Sequence, residues 1–151
     1  MHIHEPHTLA SSRESLLRRI RRMGLILTGD QKLADGILED AFTQARKAFD
    51  ATSDISGKDI FKLGFDAFDD AVHRKGVVVL LNRGAKPGGT LSERVNSLSY
   101  VERVAIALLL VENMTPKAGA ILSGRPPSVL EHALGEAMTK LEIDRTSQDG
   151  S

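Results

Sequence analysis

Between Val104 and Val111 the chain reads Val-Ala-Ile-Ala-Leu-Leu-Leu-Val, eight residues without a polar side chain. Wound into a helix, such a stretch offers water no face, and a helix apolar all round is stable only inside a shell of other elements. A bilayer is not that shell, because spanning one takes about 20 apolar residues. The remainder of the chain must therefore supply the wrapping, and its apolar periodicity says how.

From Ser12 to Thr28, Leu16, Ile20, Met23 and Leu27 recur at helical spacing while Arg18, Arg19, Arg21 and Arg22 fall on the opposite arc. This predicts an amphipathic helix with a basic back, read first as a solvated face and second as a surface for an acidic partner or a phosphate backbone. Thr28-Gly29-Asp30 stops it. A second helix is predicted from Gln31 to Phe49, with Leu33, Ile37, Leu38, Ala41, Phe42, Ala45 and Phe49 on one side and Asp35, Glu39, Arg46 and Lys47 on its outer face. After a turn at Ser53 to Gly57, a third runs from Lys58 to Lys75 with Ile60, Phe61, Phe65, Phe68 and Val72 inward. Three such helices make a small bundle. Val77 to Leu81 fits either a strand or the tail of the third helix.

Residues 82–90, Asn-Arg-Gly-Ala-Lys-Pro-Gly-Gly-Thr, form a Gly/Pro-rich segment that reads as a linker; it lacks the spacing of a phosphate-binding loop. Beyond it come a short helix, Leu91 to Asn96, and a longer one, Tyr100 to Glu112, that contains the apolar run. Thr115 is placed to cap a helix with Pro116 at its first position, ending near Ser123. Gly124-Arg125-Pro126-Pro127 interrupts, Ser128 is placed as the next cap, and a last helix reaches Leu141. Its predicted inner side is Val129, Ala133, Leu134, Ala137, Met138 and Leu141; its outer side is Glu131, His132, Gly135, Glu136 and Thr139. A short helix, a tight turn and a longer helix give a helix-turn-helix layout. The expected fold is all-α: two small helical domains at 8–81 and 91–143, joined by the linker 82–90, with flexible tails at 1–7 and 144–151.

Composition narrows the function. Twenty basic and twenty acidic residues leave a formal net charge of zero, unlike the basic excess usual in nucleic-acid binders. With no cysteine there are no disulfides, thiolate metal sites or thiol nucleophiles, which fits the cytoplasm. His2, His4 and His7 read as a polar terminus, His73 and His132 stand apart, and no Ser/His/Asp or metal-ligand spacing is present. No enzyme, cofactor, metal, membrane or small-molecule ligand is expected.

Leu98-Ser-Tyr-Val-Glu102-Arg103, Leu108-Leu-Leu-Val-Glu112-Asn-Met-Thr115, Ala120-Ile-Leu-Ser-Gly124 and then Leu134, Ala137 and Leu141 resemble region four of bacterial extracytoplasmic-function sigma factors. Thr28-Gly29-Asp30 with Ala34-Asp-Gly-Ile-Leu-Glu-Asp-Ala-Phe42 is similar to region two of that family. Ile60 to Asp70 with Arg74 looks like its promoter-facing helix, to which Lys62, Asp66, Asp70 and Arg74 would belong. The resemblance implies docking on core RNA polymerase, with Asp35, Glu39, Arg46 and Lys47 as contacts, and promoter reading by a last helix presenting Arg125, Ser128, Glu131, His132, Gly135 and Glu136.

The chain departs from that pattern in its charge. Where such sigma factors carry Lys and Arg on the recognition helix, it has Glu131, Ala133, Glu136 and Met138. Asp66 and Asp69 join Asp70 in the third helix, and Arg46 stands where the family commonly has Trp. Residues 91–151 hold six basic and eight acidic side chains, a net of −2. Carboxylates facing a phosphate backbone repel it. The expectation is a sigma-like protein that works through protein contacts, with an anti-sigma factor or core polymerase as partner. It resembles the sigma-like domain of alphaproteobacterial general-stress response regulators. The alternative is a divergent sigma factor that binds polymerase and promoter DNA, helped by Arg125, Lys140 and the arginine back of the first helix.

Overall fold

In a computed structural model of the chain, residues 5–48, 56–74 and 97–149 are described, and among them every regular element is a helix. The first boundary is set where the sequence places it. Thr28 turns its hydroxyl back to donate to the Gly24 carbonyl at 2.7 Å, and Gly29 takes a left-handed φ of 79° that ends α1 (Glu5–Thr28). Asp30 then accepts from the backbone N–H groups of Lys32 and Leu33 at 2.9 and 3.1 Å, starting α2 (Gln31–Ala48). The third helix, α3, spans Gly57–Arg74, with the Ser56 hydroxyl accepting from Asp59 N at its start.

The run that opened the argument lies in α4 (Tyr100–Ala105) and in a π-helical segment, Ile106–Val111, that continues it without a break. Ser99 and Glu102 form a reciprocal capping box at its start. Val104 to Leu109 are all buried, and Leu110, half exposed, is where the shell ends. The ordinary α-helix expected from Tyr100 to Glu112 is thus corrected: its second half is wound one residue wider, with Glu112 N donating to Ala107 O at 3.0 Å.

The shell comes from both halves of the sequence. One continuous buried cluster joins Ile20, Met23 and Leu27 of α1, Ala34 and Leu38 of α2, and Phe61, Phe65 and Phe68 of α3 to Val104, Ala107, Leu108 and Leu109. Leu122 and Leu130, from the last two helices, belong to the same cluster. This cluster crosses the expected division at residues 82–90, and a smaller one joins Leu98, Ile106 and Ala137. The linker itself, the Leu91–Asn96 helix and the Val77–Leu81 stretch lie outside the described residues.

Two further helices follow, α5 (Pro116–Ser123) and α6 (Pro127–Asp149). Thr115 caps α5 by accepting from Ala118 N at 3.1 Å, and Gly124, at φ 69°, closes it. Three expectations are corrected in α6. Ser128 is not its cap, because the helix begins at Pro127, using the fixed φ of proline at a first-turn position. Leu130 is wholly buried in the core, and Val129, expected inside, is 41% exposed. The helix also passes Leu141 and continues to Asp149, where a tail from 144 was expected; likewise α1 starts at Glu5, inside the expected tail 1–7.

Glycine permits the close approach of α1 and α3. A Cβ at Gly24 would overlap the Phe68 ring, and one at Gly64 would lie 2.8 Å from Ile20 Cγ2. Gly64→Ala should therefore lower stability by about 1–3 kcal/mol through overpacking. Gly36→Ala, exposed on α2 with open space around it, should raise stability by up to about 1 kcal/mol. Urea titrations of both variants should move the midpoint in opposite directions; equal shifts would disprove the packing account.

Candidate functional site

The α5-turn-α6 unit depends on Arg125, the cation in its turn. Its guanidinium does not face outward. One Nη donates to Asp69 Oδ1 of α3 at 3.1 Å, the other to the Ser123 carbonyl at 3.2 Å, and the group lies 5.6 Å from the centroid of the Tyr100 ring. Tyr100 donates its hydroxyl to the same Asp69 oxygen at 2.8 Å, and burial first, with the Asp69 charge second, pushes its ionisation far up. His73 meets the Tyr100 ring edge-on, its centroid 5.6 Å away. Arg125 is only 16% exposed, so the charge expected to reach a partner instead ties the turn to α3.

The other expected cations are disposed alike. Lys140 of α6 donates to Glu102 Oε1 at 2.8 Å. Burial pushes the Glu102 carboxyl up, but the Lys140 ammonium and the donors of Ser99 outweigh it and hold it below the ordinary range. On α1, Arg19 and Arg22 both reach Glu112, at 2.8 and 3.2 Å, and the Glu112 side chain is only 4% exposed. Arg21 forms a two-pronged pair with Asp35 at 2.9 and 3.1 Å. The Arg21 hydrogen bond is the main reason that the Asp35 carboxyl is held low, and Gln31 adds a donor at 2.9 Å. Three of the four arginines on the basic back are thus bound to carboxylates of their own chain.

The outward face of α6 is acidic. Glu131, His132, Gly135 and Glu136 are all exposed along one side of α6, with the His132 ring 3.8 Å from Glu136. Ser128, His132 and Glu136, with Val129, line a shallow groove of about 400 Å³ against Ser99 and Glu102 at the start of α4. A larger open cleft, about 1020 Å³, lies beside Asp69 and carries Asp40, Asp66 and Asp70. Among the described residues, no group of three or more His, Asp or Glu side chains is placed to hold a metal ion.

The remaining predicted residues fall in two places. Glu39 and Arg46 are exposed on α2, and Asp35, on the same helix, is engaged by Arg21. Lys62 and Asp66 pair across one turn of α3 at 3.1 Å, and Asp70 is exposed one turn further on. The side chains of Lys47 and Arg74 lie outside those described. The structure therefore groups Ser128, Glu131, His132, Gly135 and Glu136 on one face and removes Arg125 from it.

The sequence reading missed Asp69, Glu102 and Glu112 as the partners of these cations. One signal was present: Ser99-x-x-Glu102 has the spacing of a capping box, which fixes Glu102 at the start of α4. No local pattern connects Asp69 to Arg125 or Glu112 to Arg19. No family model, no curated protein and no solved structure matches the chain.

Because the folded Glu102 carboxyl ionises below its unfolded value of about 4.3, its contribution is complete above that pH and is lost as pH falls through the folded value. Thermal melts between pH 7 and pH 3 should show this acid loss in the wild type. It should be smaller in Glu102→Gln, while Lys140→Met should move the loss to higher pH. An unchanged acid limb in both variants would mean that the pair carries no linkage.

Proposed function

We propose that this chain is a sigma-factor-like regulator of transcription initiation that acts through protein contacts and has no catalytic role. The observation that carries the proposal is the charge distribution of the helix-turn-helix. Its exposed α6 face holds Glu131 and Glu136, whereas the neighbouring cations Arg125 and Lys140 are bound to Asp69 and Glu102.

Phosphate contact needs cations that are free to displace counterions, at a cost in salt dependence for each one used. On α6 that requirement meets two carboxylates, and on α1 three of the four arginines, Arg19, Arg21 and Arg22, are already paired with Glu112 or Asp35. Recruiting those arginines to DNA would mean leaving Glu112 nearly buried and without its counter-charges. A protein partner with a basic face fits better. It would meet the carboxylates of α6 and cover Val129, an apolar side chain set among them. The sequence resemblance supplies the kind of partner, an anti-sigma factor or the core polymerase.

The purified chain should bind neither generic duplex nor promoter DNA tightly by itself at physiological salt. Fluorescence anisotropy tests this: a sub-micromolar, steeply salt-dependent affinity would sink the protein-contact reading and favour a divergent sigma factor. Glu131→Lys combined with Glu136→Lys should create measurable DNA affinity. It should also weaken capture of the native partner in pull-downs scored separately for core polymerase and for a small anti-sigma protein. Capture of either one unaffected by the double reversal would remove α6 from the interface.

A further inference from the structure

A second surface is set by different chemistry. Between the first half of α1, the start of α3 and α5 lies a groove of about 550 Å³ whose floor is Leu16, Phe61, Met114 and Leu122. Ile121 stands on its rim, 72% exposed, more than any other large apolar side chain among the described residues. Scattered exposed apolar residues are ordinary, but one that borders an apolar depression is a contiguous surface.

The mouth of this groove is basic. Arg19, Lys58 and Lys62 line it against a single acid, Asp59. The Arg19 guanidinium lies 5.1 Å from the centroid of the Phe61 ring, held over the floor while it also serves Glu112. Lys62 shares its charge with Asp66. Lys58 has no ion pair among the described residues, and it sits in the first turn of α3, where the backbone N–H groups add positive potential.

We propose that this groove receives an amphipathic helix of a partner protein, one with an apolar seam flanked by acidic residues. The seam would place side chains at i, i+3 or i+4, and i+7 on the floor between Phe61 and Leu122. Its outer residues would cover Ile121, and its carboxylates would meet Lys58 at the start of α3. A small anionic amphiphile would fill the floor but leave Ile121 in water, and a nucleic acid would gain nothing from the apolar lining. The inference goes beyond the function proposed above: it concerns a different face with the opposite charge, and it stands whether α6 meets protein or DNA.

The probe is a fluorescein-labelled peptide of about 18 residues, five helical turns, with Leu at the seam and Glu on both flanks. A second peptide replaces every Glu by Lys. Anisotropy titrations use the full chain at low salt. The acidic peptide should bind more tightly than the basic one by on the order of tenfold. Ile121→Ser should weaken it roughly fivefold, and Lys58→Glu should reverse the preference; both positions are exposed, and circular dichroism should show unchanged helicity. Glu131→Lys with Glu136→Lys should leave this binding unaltered, which separates the groove from the α6 face. Equal binding of the two peptides, or indifference to Ile121→Ser, would overturn the proposal. So would a concentration-dependent dimer in light scattering that Ile121→Ser abolishes, because the occupant would then be a second copy of this chain.

Discussion

A helix with no polar side has to be wrapped completely, and the positions of most other elements follow from that need. Val104, Ala107, Leu108 and Leu109 share one buried cluster with side chains of α1, α2, α3, α5 and α6. Residues far apart in sequence are joined by one apolar cluster. The smallest side chains matter here as much as the largest: Ala107 lets the surrounding helices approach the central one, as Gly24 and Gly64 do where α1 meets α3.

Charge is arranged around this core by the same geometry. The acids that bind Arg19, Arg22, Arg125 and Lys140 are Glu112, Asp69 and Glu102, each located where one helix ends or crosses another. Pairs like these are worth little when fully exposed, yet Glu112 and Glu102 are nearly buried, and removing a partner from such a carboxylate is costly. The cations are therefore held to the fold. The balanced composition, twenty of each sign, conceals an uneven surface: acidic along α6 and around the Asp69 cleft, basic around the mouth of the Phe61 groove.

How much of this was legible in the sequence depends on the range of the interaction that decides it. Local chemistry was readable. The end of α1 and the start of α2 follow from Thr28, Gly29 and Asp30, and the bounds of α5 follow from Thr115, Pro116 and Gly124. Periodicity also found Ile20, Met23, Leu27, Phe61, Phe65 and Phe68 as core. It failed at one position of α6: Leu130, three residues before Ala133 and seven before Ala137, is on the buried face, and Val129 is at its exposed edge. The candidate site was half legible. Its acidic residues could be counted from the sequence, but the loss of Arg125 and Lys140 could not, since Asp69 lies 56 residues from Arg125 and Glu102 lies 38 from Lys140. The π-helical winding of Ile106–Val111 leaves no trace in composition either, because every residue there is apolar whichever way it is wound.

That winding has an effect on the carboxylate which follows it. In an α-helix each residue advances the chain by roughly 100° around the axis. A turn closed five residues back, as between Glu112 and Ala107, takes up one residue more than an α-turn. Everything after it is rotated as though a single residue had been spliced in, and Glu112 is thereby aimed at α1. The direction of its charge is thus a property of register: with one residue fewer in this turn the carboxylate would point elsewhere, and Arg19 and Arg22 would lose the partner that holds them.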